Sequence, residues 1–238
     1  MELKFLGRGA GFNPKEGSTS PYFVDKGELF LIDAGESVFH AIQKRKLLDS
    51  VTGLNILITH THSDHVGSLG TVMLYAYAVK KIPIKIIYDE NMTFLPGLRS
   101  LVAIYGLTEN MYHLVEAGSL SGKYSRFDNI YYVKTKHCDE LESCGIVFET
   151  KQGLVFYSSD FNDLSPLEDI LKSGKKIDKL YIDSCNDRKP NLYHVTIHQI
   201  NDVVPPKLKK KVYCMHINNA KCAKEATAYG FKVVSVEK

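Results

Sequence analysis

The chain has 238 residues, enough for one domain with a sizeable core, and 44% of them are hydrophobic, which is ordinary for a globular protein. A formal charge of +3 is too mild to argue for nucleic-acid binding, and no apolar run approaches the roughly 18 residues of a membrane span, so no membrane partner is expected. The five cysteines, an odd number without a C-x-x-C pair, argue against a secreted disulfide framework and for reduced thiols in a cytoplasm, and the opening Met1-Glu2-Leu3-Lys4-Phe5 has no signal-peptide anatomy.

Apolar runs at 3–6, 22–24 and 29–32 read as strands, the last closing on Asp33-Ala34-Gly35. Residues 37–48 carry Val38, Ile42, Leu47 and Leu48 at helical spacing. The run 54–58 reads as a fully buried strand. A helix is expected over 66–80, with Leu69, Val72, Met73, Ala76 and Val79 on one face, and a strand over 84–88. Segment 90–118 is less regular: a helix after Pro96 stopped by Gly106, then a second short helix near 109–116. Strands are expected at 129–136, 146–149 and 154–158, then a helix near 166–173, a strand at 179–183, a helix near 196–203, a strand at 211–215, a helix near 219–229 and a last strand at 231–236. The basic stretch Lys207-Leu208-Lys209-Lys210-Lys211 reads as a solvated strand entrance. Without repeats or linkers, residues 1–238 form one α/β domain, and the pattern suggests two facing sheets with helices outside.

The chemistry concentrates right after the strand at 54–58, in Ile58-Thr59-His60-Thr61-His62-Ser63-Asp64-His65-Val66-Gly67. His60 and His62 are two apart and can face the same way, and imidazole nitrogen suits zinc. Asp64 and His65 cannot easily join that face and can serve a second ion beside the first, the arrangement used to hydrolyse phosphate esters and related bonds. Further polar residues stand at the ends of other predicted strands: Asp33, His137, Asp160 and His216. Such positions are where α/β folds assemble sites. Cys138, next to His137, is a candidate ligand or pocket wall; His40, His113 and His198 read as bystanders.

The string Thr59 to Gly67, together with these downstream residues, resembles the metallo-β-lactamase superfamily over nearly the whole chain, and implies a four-layer αββα sandwich. By that resemblance His60, His62 and His137 hold one ion, Asp64, His65 and His216 the other, Asp160 bridges them, and Asp33 orients a ligand imidazole. Two zinc ions are implied, with manganese or iron as alternatives. Asn191-Leu192-Tyr193-His194-Val195-Thr196, just before a helix that Thr196 can cap, places His194 like the histidine of the phosphodiesterase branch typified by tRNase Z, where it contacts phosphoryl oxygens and assists the leaving group. Phe5-Leu6-Gly7-Arg8-Gly9-Ala10-Gly11 is similar to the opening of that branch.

A tRNA substrate is not expected. Only 22 residues separate His137 from Asp160, leaving no room for the tRNA-gripping arm, and Ile182-Asp183-Ser184-Cys185 replaces the His-Glu-Ala-Thr motif. The compact form resembles the anti-Pycsar phosphodiesterases of phages and bacteria, which degrade 3′,5′-cyclic mononucleotides and silence a defence signal. The resemblance implies a small cyclic-nucleotide substrate and a cytoplasmic homodimer, with Asp64 and His194 as catalytic residues. Segment 90–118 is then a candidate lid or dimer contact, and Tyr112 within it a candidate to stack on the base. Other readings of the same metal core are a nuclease, a lactonase or thioesterase, and a non-catalytic nucleotide binder.

Overall fold

Two sheets are laid down one after the other along the chain. In the computed structural model, which describes residues 1–187 and 192–237, β1 (Lys4–Phe5), β2 (Pro21–Asp25), β3 (Glu28–Ile32), β4 (Gly53–Leu57), β5 (Ile84–Tyr88) and β6 (His113–Glu116) form the first sheet in that order. The second holds β7 (Asn129–Thr135), β8 (Ser143–Thr150), β9 (Gly153–Tyr157), β10 (Ile177–Asp183), β11 (Val212–Met215) and β12 (Lys232–Val233), again in chain order. Each sheet has an antiparallel part, β1–β3 and β7–β9, and a parallel part, β3–β6 and β9–β12. Parallel neighbours need crossover connections, and most of the helices lie in them.

The side-chain period of two decides the layering. Along β9, Val155 and Tyr157 enter the larger core cluster, shared with the first sheet, while Leu154 and Phe156 enter a second cluster with Leu167, Ile170, Ile200 and Ala226. Those four belong to α5 (Ser165–Lys172), α6 (Ile197–Val203) and α7 (Ala220–Ala228), which cover the outer face of the second sheet. The first sheet is covered by α1 (Val38–Arg45), α3 (Leu69–Leu74, continued by a π-helical stretch Tyr75–Lys80) and α4 (Leu95–Ile104). Phe23 of β2 meets Phe148 of β8 edge-on, ring centroids 5.7 Å apart, across the space between the sheets. The result is the expected four-layer αββα sandwich.

Some local expectations are corrected. The helix expected near 109–116 is instead edge strand β6, paired parallel to β5 from Lys85↔His113 to Tyr88↔Glu116. Met111, Leu114 and Val115 mimic helical spacing, but the open edge of β5 offers backbone partners that a short exposed helix lacks. The helix expected from residue 66 begins earlier, as the single turn α2 (Ser63–Val66), and breaks at Gly67-Ser68 before α3. The basic stretch is a 3-10 turn, Pro206–Lys211, and of the last expected strand only Lys232–Val233 pairs, with Val236 bridging to Phe5. Thr196 caps α6 as expected, in a reciprocal box with Gln199. Asn191, part of the motif around His194, lies outside the described residues.

Candidate metal centre

The parallel strands of both sheets, and β7 with them, run to one common edge, and the functional side chains collect there. Asp33 follows β3, His60 and His62 follow β4, and Asp64 and His65 lie on α2 just beyond. From the second sheet, His137 follows β7, Asp160 follows β9, Asp183 ends β10 and His216 follows β11. Three of the residues that turn the chain away from this edge are non-glycine residues in the left-handed region: Asp33 (φ 60°), Ser159 (φ 56°) and His216 (φ 54°). Such strain costs about 1–3 kcal/mol each and persists where the surroundings impose it.

Two groups of donor atoms form. His62 Nδ1 lies 3.1 Å from His60 Nε2 and 3.2 Å from His137 Nε2, so three imidazole nitrogens converge. Beside them, His216 Nε2 lies 3.3 Å from Asp64 and 3.2 Å from Asp160, and His65 Nε2 lies 3.4 Å from each of the same two carboxylates. Asp160 also reaches His137, at 3.8 Å, and so stands between the groups.

Hydrogen bonds from behind fix the ring orientations. Asp33 is fully buried; it accepts from the Thr59 amide and hydroxyl at 2.9 Å and lies 2.8 Å from His65 Nδ1. His137 Nδ1 donates to the Tyr193 carbonyl at 2.7 Å, which leaves its Nε2 lone pair for the site. Glycines bring the chain close. A Cβ on Gly35 would lie 1.8 Å from the Asp64 carbonyl oxygen, and one on Gly11 would lie 3.0 Å from Asp64 Oδ2. The glycine-rich opening therefore packs directly on a site carboxylate.

Electrostatics divide the site in two. Burial and the neighbouring histidines hold His60 and His62 below the ordinary imidazole value, so their lone pairs are available. On the other side burial favours neutral forms, but the mutual attraction outweighs it. Asp160 and Asp64 are held well below the carboxylate range, His65 is held well above its own, and His216 is pushed up to about 10 by Asp160, Asp183 and Asp64. The raised pKa values of these two imidazoles mark a place that favours positive charge, and a divalent ion bound there would displace their protons. The fit has a further sign: His65 Nε2 is buried without a hydrogen-bond partner among the described residues, and no Lys or Arg among them lines the cavity. Neutral imidazoles with ionised carboxylates are the donor set that zinc and its neighbours take.

One residue was not assigned a role in the sequence. Asp183 is fully buried, 2.8 Å from His194 Nδ1 through Oδ2 and 3.3 Å from His216 Nδ1 through Oδ1, and so ties the two together. Its signal was present: like Asp33 it is an acid that closes an apolar strand. Despite burial, Asp183 holds His194 above its ordinary pKa.

The cavity above these groups, about 680 Å³, is lined by His62, Asp64, His137, Asp160, His194 and His216 together with Phe12 and Tyr193. Tyr112 is not brought there. It is buried in the larger core cluster, beside α4, because the strand that replaces the expected helix turns it inward. Segment 90–118 likewise supplies α4 and β6 and lines other clefts, and Cys138 lines a separate one with Asn91 and Glu142. His40, His113 and His198 are exposed away from the cavity.

The fold is that of the metallo-β-lactamases. The crystal structure of the metallo-β-lactamase fold protein YhfI from Bacillus subtilis superposes with a TM-score of 0.72 at 15% identity, covering 99% of this chain and 95% of that one. Residues 1–235 match the family described as anti-Pycsar protein Apyc1, and the chain belongs to that family. An anti-Pycsar protein Apyc1 of Paenibacillus xerothermodurans is 23% identical over 92% of this chain and 88% of its own length. The one of Bacillus phage 010DV004 is 44% identical over a shorter stretch, 32% of this chain and 29% of its own length.

Proposed function

We propose that this chain is a two-zinc phosphodiesterase that opens 3′,5′-cyclic mononucleotides, such as the cyclic forms of CMP, UMP, AMP and GMP, to 5′-nucleotides and so ends a defence signal in the bacterial cytoplasm. The observation that carries the reading is the Asp183–His194 pair standing beside a complete His/Asp donor set, in a chain of the anti-Pycsar family. His60, His62 and His137 would hold one ion and Asp64, His65 and His216 the other, with Asp160 between them. Bound there, such ions supply Lewis acidity and lower the pKa of water to near neutrality.

The chain's own residues do the rest. Asp33 and the Tyr193 carbonyl keep the rings of His65 and His137 turned so that Nε2 faces the site. Asp64 accepts a proton from the attacking water. His194, held by Asp183 through Nδ1 and raised above its ordinary pKa by that carboxylate, gives the Nε2 proton of its charged form to the departing 3′-oxygen. The same proton offsets charge on the phosphoryl oxygens. A small substrate fits the connection between His137 and Asp160, which β8 and β9 occupy with a plain hairpin. Among the described residues no helix is long and apolar enough to cross a membrane. A homodimer belongs to this reading: Leu74, Tyr77, Val79 and Ile104 are exposed, and a Cβ on Gly70 of α3 would meet the Tyr105 ring, which places the end of α4 beside α3.

The test is a substrate panel for the zinc-loaded protein: cyclic mononucleotides, cyclic dinucleotides, bis(p-nitrophenyl) phosphate, pre-tRNA and a lactone. Release of 5′-nucleotides is expected. Turnover of only the lactone or the pre-tRNA would overturn the reading, as would a stable complex with intact cyclic nucleotide. Light scattering during size-exclusion chromatography reads the dimer.

A further inference from the structure

Phe12 departs from the packing that the other aromatic rings follow. It is exposed at 105% of its reference area, so its ring is wholly in water, and yet it lines the cavity over the metal-ligand groups. The turn that carries it is held firmly. Arg8 N donates to Glu16 O at 3.0 Å, Gly9 N to Gly17 O at 2.7 Å, and Asn13 N closes the turn on Ala10 O at 2.8 Å. The Asn13 side chain donates to the Ile217 carbonyl at 2.8 Å, and Ile217 N donates to Arg8 O at 2.7 Å. Arg8 pairs with Glu16 at 2.8 Å and donates to the Val234 carbonyl at 2.8 Å. The turn is thus stapled to the residue after His216, and its Gly11 abuts Asp64. Building a fixed turn to hold an aromatic ring in water, next to the place where phosphorus would sit, makes sense when a ligand covers the ring.

We propose that Phe12 is the platform on which the substrate's base stacks, which makes it a specificity-determining residue for phosphodiesters that carry a planar aromatic group. The inference rests on the cyclic-nucleotide reading above. Every base has a π-face, so a ring platform accepts purines and pyrimidines alike. Selection among bases falls to the polar side chains in the same cavity, Asn13, Glu36 and Asn218, and the Asn218 Oδ1 finds no hydrogen-bond partner among the described residues.

The chain contains no tryptophan, so Phe12→Trp installs a single indole at the platform. Titration of the zinc-loaded F12W protein with a hydrolysis-resistant cyclic nucleotide phosphorothioate should quench its emission, and the same phosphodiester ring without a base should not. In parallel, Phe12→Ala should raise KM for cyclic mononucleotides about 10- to 100-fold, far more than for the base-less cyclic ribose phosphate. Quenching by both ligands or by neither, or a KM equal to that of the parent protein, would overturn the role of Phe12. A parent protein that turns over no cyclic nucleotide at all would instead overturn the reading of function, which separates the two failures.

Discussion

His194 Nδ1 lies 2.8 Å from Asp183 Oδ2, and the other oxygen of that carboxylate lies 3.3 Å from His216 Nδ1. One buried acid thus holds the proposed proton donor by a hydrogen bond and sets its negative charge beside a proposed metal ligand. The two-pronged contact makes Asp183 sensitive to substitution in two separable ways.

Asp183→Asn should lower activity by about 10- to 100-fold, as losses behind a ligand commonly do. The carboxylate holds His194 above its ordinary pKa, so the proton donor stays charged further into the alkaline range. Removing that charge lowers the His194 pKa, and the alkaline limb of the pH–rate profile should move to lower pH. The profile of kcat against pH, with metal content measured alongside, checks this; an unmoved limb would exclude His194 as the acid.

His194→Ala should reduce kcat for cyclic nucleotides by about 10²- to 10⁴-fold while metal content stays the same. The deficit should be much smaller for bis(p-nitrophenyl) phosphate, whose leaving group departs without a proton. Equal losses on both substrates, or loss of zinc, would assign His194 to a different task.

Gly35→Ala should destabilise the fold by about 1–3 kcal/mol and reduce bound metal. The new methyl would collide with the Asp64 carbonyl, and either the turn after β3 or α2 must move. Gly118→Ala, where a Cβ meets nothing within 4 Å, serves as the control. Urea denaturation and elemental analysis of both variants decide the matter.

Asp25, far from the site, makes a pH-dependent contribution to stability. Burial favours its neutral form, but its carboxylate accepts from the Ser125 and Arg126 amides at 2.7 Å and from the Ser125 hydroxyl, and these bonds hold its pKa below the ordinary value. A depressed carboxylate pKa gives stability that is present above the unfolded value, about 3.9, and is lost as pH falls through the folded one. Asp25→Asn should therefore cost about 1.5–3 kcal/mol at pH 7 and 5, with the difference shrinking below pH 4, as read from urea unfolding at each pH.

The clustered ligands were legible because they are local. His60, His62, Asp64 and His65 sit within six positions after an apolar strand, and alternating apolar runs marked most strands that carry the remaining donors. The apolar spacing of segment 109–116 suits a helix, while the unpaired edge of β5 makes His113–Glu116 a strand and leaves Tyr112 buried.

By itself the sequence determined the donor inventory and the alternation that builds two sheets, since both are written in neighbouring residues. Only the tertiary structure decided which donors meet. Asp183 and His216 are 33 positions apart, and Gly11 and Asp64 are 53 apart. The first pair meets because the neighbouring parallel strands β10 and β11 end on one edge, and the second because the turn after β1 is tied to Ile217 beyond β11; long-range pairing and packing set both relations, and no local pattern records them.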